Sequence, residues 1–319
     1  MVDDSVKYEN IPHETRTSLG EPLARQARGH RFESYIAHSA LTTTVEEGES
    51  NEDYHSSAGW SKSQLWDFVS RGPRYFYLRH VAKAIRPEES AALSHGTLLH
   101  RWLEVGDSFW GELVVPPAKL LTETGRVGKA AKEWLAENGA GKTPVSQQEL
   151  DQLRCEADAV MGHAAARDLI SAKIASEVSI RWHHEDGTLL RCRPDLVSED
   201  ELGPIVVDLK TTREADVLTS WWRSVMDYGY HAQDAHYQWG MEAAGMDARP
   251  LVFIVVSTVA PYDVAVVNLP SELVHVGRRR MESAIADISV RLNFDCWMPE
   301  QHGEVVELPI PSHILRSLS

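Results

Sequence analysis

Two short words in the sequence set acids beside bases at a spacing chemistry can use. They are Arg193-Pro194-Asp195 and, thirteen residues after that aspartate, Asp208-Leu209-Lys210. Residues two apart on an extended strand point to the same face, so Asp208 and Lys210 stand side by side if 204–211 is a strand. The run Ile205-Val206-Val207 predicts an interior strand, where an acid and an amine are costly unless they pair or serve a cation. Asp195, on the adjoining strand of a hairpin, can bring a second carboxylate to the same spot. Magnesium prefers oxygen ligands and keeps several waters, so two carboxylates with open positions suit an ion that must also hold a phosphate. A lysine beside them can orient the attacking water or help deprotonate it. Alone, Asp-x-Lys on a strand is in most proteins an ordinary ion pair. The two words together, preceded by a helix that carries His100, are far more specific.

The elements that must position these groups are legible in outline. Ser61-Lys62-Ser63-Gln64 has the form of a capping box, so a short helix is expected from Ser61 into Leu65, Trp66, Phe68 and Val69. In the stretch Gly96 to Glu104, Leu99 and Leu103 share one helical face while His100 and Glu104 share a neighbouring one. A second helical stretch is expected over 146–170, where Leu150, Leu153, Ala157, Val160 and Met161 keep a period near 3.6. Residues 175–184, 188–198 and 204–211 read as three strands of a β-meander, separated by Glu185-Asp186-Gly187 and by the turn-like stretch 198–203. A helix over 232–244, strands at 251–258 and at Val264 to Leu269, and a long helix over 271–293 follow. The order describes a mixed α/β (α+β) domain. His183 and His184 face opposite ways on a strand, so they cannot grip one ion together.

The chain has 319 residues, with Lys+Arg 32 against Asp+Glu 47, a formal charge of −15 and a pI near 5.4. Such acidity argues against indiscriminate coating of nucleic acid, but not against a DNA enzyme whose bases are gathered in one groove. The stretch 71–86 is the place for such a groove: Arg71, Arg74, Arg79, Lys83 and Arg86 meet no acid there and Tyr75, Phe76 and Tyr77 are interleaved. A solvated basic face over a buried aromatic stripe is the other reading of it. Cys155, Cys192 and Cys296 form no CxxC pair, so neither a disulfide framework nor a structural zinc site is indicated. No apolar run approaches the ~18 residues of a membrane span, and the N-terminus lacks the basic-then-apolar pattern of a secretory signal. No membrane partner and a cytoplasmic location are therefore expected. Residues 1–53 are polar and aperiodic, ending in an acidic run, and read as a mobile extension ahead of a folded domain over 54–319.

With these words in hand, the sequence resembles the PD-(D/E)xK nuclease superfamily. The stretches Arg191 to Asp195, Val207 to Thr212, Tyr228 to Tyr237 and Phe253 to Thr258 are similar, in matching order, to RecE or exodeoxyribonuclease VIII-like nuclease domains. Tyr54-His55, the Gly59 to Leu65 stretch and Gly96 to His100 fit as well, so the likeness spans about 54–300. It implies a restriction-endonuclease-like core, a central mixed β-sheet flanked by helices. It also implies a magnesium-dependent exonuclease, with manganese as a substitute, that degrades one strand of linear double-stranded DNA from 5′ to 3′. Such enzymes work as homo-oligomeric rings and leave 3′ overhangs for a single-strand annealing protein in recombination and repair. By resemblance the metal ligands are His100, Asp195, Asp208 and the Leu209 backbone carbonyl, and Lys210 is the catalytic lysine. Gln233 and Tyr237 match a Gln-x-x-x-Tyr pair, and i, i+4 spacing puts them on one helix face. Glu104 is a candidate outer-shell acceptor for the His100 imidazole, and Glu177 is expected to begin a strand near the site.

Two other readings stay open on the sequence. A RecB-like or Cas4-like nuclease acting on single strands shares the same metal core, although no four-cysteine set is present for a Cas4-type iron–sulfur cluster. A non-catalytic DNA-binding module could retain the fold, but it has no physical reason to keep the charges of Asp195, Asp208 and Lys210.

Overall fold

The structure is a computed structural model that describes residues 43–86, 95–120, 129–139, 141–247, 249–298, 305, 307 and 310. Its strands are β1 (Thr44–Glu46), β2 (Trp60–Ser61), β3 (Leu113–Val114), β4 (Thr143–Pro144), β5 (Lys173–Ser176), β6 (Ser179–His183), β7 (Leu189–Cys192), β8 (Leu196–Asp200), β9 (Gly203–Thr212), β10 (Val252–Ser257) and β11 (Val264–Asn268). The helices are α1 (Asn51–Ser56), α2 (Lys62–Arg71), α3 (Pro73–Phe76), α4 (His95–Val105), α5 (Lys129–Asn138), α6 (Gln147–Gly162), α7 (Ala164–Ser171), α8 (Val217–Ser220), α9 (Trp222–Asp227), α10 (Tyr230–Ala243) and α11 (Ser271–Phe294). Among the described residues, none is long and apolar enough to cross a membrane.

The larger sheet runs β11-β10-β9-β8-β5, with β9 interior, parallel to β10 and antiparallel to β8. Alternation along these strands feeds two cores. Val207, Leu209, Ile254 and Val256 pack with Leu99 of α4 and Leu153 of α6 on one face. Val206, Phe253 and Val255 pack with Ala232 of α10 and Met281 of α11 on the other. Each Val or Leu buried this way contributes about 1.5–3 kcal/mol, which holds β9 between two helical layers. At Gly277 the helices α10 and α11 approach so closely that a Cβ would lie 2.4 Å from the His231 carbonyl oxygen.

The expected β-meander is corrected by the structure. The stretch 175–184 divides into β5 and β6, and 188–198 divides into β7 and β8. The halves enter different sheets: β5 pairs with β8 in the larger one, and β6 with β7 in a smaller sheet ordered β1-β6-β7-β2. Two local causes break the strands. Glu177 has φ 52°, a left-handed conformation that strand residues do not adopt. Pro194 has no N–H for a ladder. The Glu177 N–H donates to the Asp195 carbonyl at 3.3 Å, so the two breaks face each other.

Other differences are smaller. The helical stretch 146–170 is two helices, because His163 has extended backbone and its side chain caps α7 at the Ala166 N–H, 3.4 Å away. Within the expected extension, β1 pairs antiparallel with β6 and α1 is capped by Ser50, so residues 44–46 and 51–53 are ordered into the fold; residues 1–42 lie outside the described residues. Around the expected basic stretch the chain forms α3 and a π-helix over Tyr77–Val81. The Ser61–Gln64 capping box is present with both of its reciprocal bonds.

Candidate active site

The break between β7 and β8 creates the site. The register pairs Leu196 with Val207, so Asp195 falls opposite Asp208, one step beyond the end of β8. Where β8 no longer supplies a backbone acceptor, Asp195 Oδ2 does: it accepts the Leu209 N–H at 2.9 Å. N–H and C=O of one strand residue leave on the same edge, which directs the Leu209 carbonyl toward this place as well. With the sheet open here, helices from both layers reach in. His100 of α4 brings Nδ1 within 3.0 Å of Asp195 Oδ2. From the opposite layer, Gln233 of α10 donates its amide to Asp208 Oδ1. Lys210 forms an ion pair with Asp208 Oδ2, as the two-residue spacing on β9 predicts. The Tyr237 hydroxyl donates to the Arg193 carbonyl at 3.2 Å and so fixes the backbone entering Pro194-Asp195.

The charges are crowded and dry. Asp208 is 1% exposed. Burial, and then the Asp195 carboxylate, push its pKa up, with Lys210 and His100 only partly offsetting them. For Asp195 burial acts the same way, but the His100 charge and hydrogen bond, Lys210 and the Leu209 amide outweigh it and hold the pKa below the ordinary value. Burial works against the charged forms of Lys210 and His100, yet the carboxylates prevail: Asp208 and Asp195 raise Lys210, and Asp195 raises His100.

These residues fit a hard divalent cation. Asp208 Oδ2 is buried and, apart from the ammonium of Lys210, lacks a hydrogen bond of proper geometry. The donors are two carboxylates, a backbone carbonyl and an imidazole that must first lose its proton. Among the described residues no three His, Cys, Asp or Glu side chains are already closed into a metal cluster; Lys210 and the Gln233 amide hold Asp208, and His100 and the Leu209 amide hold Asp195.

The site opens into a cleft of about 1450 Å³. Arg79, Lys83 and Arg86 line it, whereas Arg71 and Arg74 do not. Arg71 instead pairs with Asp67 at 3.4 Å and lies over the Tyr75 ring. The basic stretch is thus divided, with its second half turned to the cleft. Glu104 also lines the cleft, but its expected bond to His100 is absent: Arg101, three residues earlier, takes its carboxylate at 2.7 Å, and the His100 imidazole turns to Asp195. Glu177 does not begin a strand; it occupies the break, where Arg193 Nε lies 2.8 Å from its carboxylate. Burial and then Asp195 raise the Glu177 pKa to about 7. His183 is exposed, and His184 bonds Asp186 in the following turn at 3.1 Å.

The sequence reading left Arg191 and Arg193 without roles. Both guanidinium groups lie over the Tyr54 ring, 4.9 and 4.4 Å from its centroid. Arg191 donates to the Tyr54 carbonyl at 2.7 Å and to Ser57 Oγ at 2.8 Å, which ties α1 and the segment after it to β7. The signal available was the pair of alternating arginines beside Pro194-Asp195. It could not name their partner, which lies more than 130 residues away.

This mixed sheet, entered by a Pro-Asp at one strand end and an Asp-x-Lys on its neighbour, is the architecture of the PD-(D/E)xK class. The family model for a PDDEXK-like domain of unknown function (DUF3799) matches residues 61–303, and the chain belongs to that family. A crystal structure of a "putative exonuclease" from Eubacterium rectale has a similar fold, with a TM-score of 0.52 and 15% identity over 85% of this chain and 98% of that one. No curated protein matches the chain.

Proposed function

We propose that this protein is a divalent-metal-dependent exodeoxyribonuclease that hydrolyses phosphodiester bonds at the ends of linear double-stranded DNA. The observation that carries the reading is the meeting of Asp195, Asp208, Lys210, His100 and Gln233 at one open sheet end, inside a cleft whose wall bears Arg79, Lys83 and Arg86. Magnesium, or manganese in its place, would be held by Asp195, Asp208, the Leu209 carbonyl and His100. Bound there, it supplies Lewis-acid polarisation of a phosphoryl oxygen and an acidified water.

The chain's own groups do the rest. Lys210 holds the attacking water and offsets the negative charge that develops on the phosphoryl group, a role for a fixed charge in a water-poor site. Gln233 occupies Asp208 Oδ1 and leaves Oδ2 toward the lysine. Tyr237 fixes the backbone that presents Asp195. Arg79, Lys83 and Arg86 contact the DNA backbone, which positions the strand without reading its sequence. The RecE-like words of the sequence extend the reading to 5′ to 3′ polarity, 3′ overhangs, a homo-oligomeric ring and delivery of the overhang to a single-strand annealing protein.

Linear duplex labelled at the 5′ or the 3′ end, incubated with magnesium and then with chelator, tests this. Release of labelled mononucleotide from 5′ ends in magnesium, and none in chelator, is expected. Digestion of single strands alone points instead to a RecB-like or Cas4-like enzyme. No digestion with magnesium or manganese overturns the proposal.

A further inference from the structure

The capping word Ser61-Lys62-Ser63-Gln64 starts α2, but its lysine is not needed for the cap: Ser61 and Gln64 satisfy each other. The Lys62 ammonium instead reaches the carbonyl of Tyr228, just before α10. It lies 5.5 Å from the centroid of the Tyr230 ring and 6.0 Å from that of Trp66. Lys210 lies over the same Tyr230 ring, at 5.1 Å. Two ammonium groups therefore share one aromatic ring, and both lysines line the cleft.

What sets Lys62 apart is that, among the described residues, it has no carboxylate of its own. Two acids exert an attraction on it, Asp208 and Asp67, and both are committed elsewhere. Asp208 is held by Lys210 and Gln233. Asp67 pairs with His80 at 2.8 Å and with Arg71 at 3.4 Å. An ammonium held, among the described residues, by a carbonyl and ring faces is an uncompensated charge, which a protein keeps at a cost unless an anion arrives. Burial, and then repulsion from Lys210, lower its pKa to about 7, and the negative charge of a bound oxyanion offsets both. The mounting is rigid. The Trp66 indole donates to the Asp227 carbonyl at 3.1 Å, and Gly229, at φ 65°, lies so close to Trp66 that a Cβ would meet the ring at 2.3 Å. The turn that holds Lys62 is thus locked to α2 from three sides.

We propose that Lys62 is a phosphate-binding residue: it grips a backbone phosphate of the bound strand beside the one placed at Asp208 and Lys210. This rests on the nuclease reading above for the identity of the ligand, and the test below does not require cleavage.

The full chain is titrated against a fluorescent mixed-sequence linear duplex by anisotropy, with calcium in place of magnesium, over a series of salt concentrations. Each phosphate contact contributes about 0.9 to the slope of log affinity against log salt. K62M should lower that slope by about 0.9 and weaken binding at low salt, while K62R restores most of the slope. An unchanged slope in K62M, even with a lowered melting temperature, makes Lys62 only a clamp between α2 and the 227–230 turn and overturns the proposal. Should K62M not fold, acetylation of the wild-type protein followed by mass spectrometry decides. Lys62 acetylated freely without DNA and protected severalfold by duplex supports phosphate contact; equal modification refutes it. A wild-type protein that cleaves but whose slope is unaffected by K62M fails this inference alone. One that binds through Lys62 yet never cleaves fails the nuclease reading alone.

Discussion

Asp208 on β9 and Asp234 on α10 are both buried, at 1% and 0% exposure, and both have an Oδ2 without a hydrogen bond of proper geometry. Burial pushes the pKa of each upward. Their surroundings differ. Asp234 Oδ1 accepts from the Leu251 N–H at 3.0 Å and from the Gln238 amide at 2.7 Å, neutral donors that fasten α10 to the chain entering β10. Asp208 faces an ammonium, a second carboxylate and an imidazole at the mouth of a cleft. A proton can settle the Asp234 site, whose pKa reaches about 6. The Asp208 site sets two acids against two bases, and once His100 gives up its proton the net negative charge that remains suits a dication. Burial of an acid therefore does not distinguish the candidate site in this molecule; opposed charges converging on an opening do.

The strongest way to break that comparison is to remove each carboxylate's charge. D208N should lower cleavage of linear duplex by about three orders of magnitude or more while the far-ultraviolet circular dichroism is retained; D234N should leave the rate within about twofold of wild type. Comparable activity in the two variants would erase the distinction.

His100 sharpens it next. Burial works against the imidazolium, but Asp195 outweighs it and raises the pKa above the ordinary value, so the proton competes with a metal. Metal affinity measured by calorimetry should therefore rise as pH is raised through that pKa. In H100Q the dependence should flatten and the affinity should fall at least roughly tenfold, the scale of lost metal-site support. A metal affinity in H100Q equal to wild type at every pH removes His100 from the ligand set.

The basic wall gives a smaller effect. Replacing Arg79, Lys83 and Arg86 with glutamine should lower the salt slope of duplex binding by about 2–3, and replacing Arg71 and Arg74 should leave it unchanged. Equal effects would mean that the division of this stretch by the cleft has no bearing on DNA.

The smallest effect falls on stability. A folded pKa of about 6 against the ordinary 3.8 means that Asp234 favours the fold fully below 3.8, and that this contribution is lost as pH rises through 6. D234N keeps the acceptor oxygen and sheds the buried charge. It should be more resistant to urea than wild type by about 2–3 kcal/mol at pH 8, and by less at pH 5. A gain independent of pH would show that the fold does not raise the Asp234 pKa above its ordinary value.

The strand carrying Asp208 and Lys210 was legible because Ile205, Val206 and Val207 announce an interior position and the period of two fixes which side chains meet. The helix carrying His100 was legible from Leu99 and Leu103. The hairpin was not, because Ile174, Val178 and Ile180 around Glu177, and Leu190, Leu196 and Val197 around Pro194, make each stretch read as one strand; only the routing of the halves into two sheets decides that the chain breaks there. That break is also what leaves Asp195 free of the ladder. Helical spacing alone does not settle the partner of Glu104, since Arg101 on the same helix competes for it. Lys62 stood in plain view inside a capping box, and its contacts to residues 228 and 230 are long-range.

The most direct test of the central claim is anomalous diffraction from crystals of the protein soaked in manganese. The account predicts a peak between the Asp195 and Asp208 carboxylates, within coordination distance of the Leu209 carbonyl and with His100 turned toward it, and the loss of that peak in D208N. Manganese bound only elsewhere, or a peak at this place that persists unchanged in D208N, would contradict it.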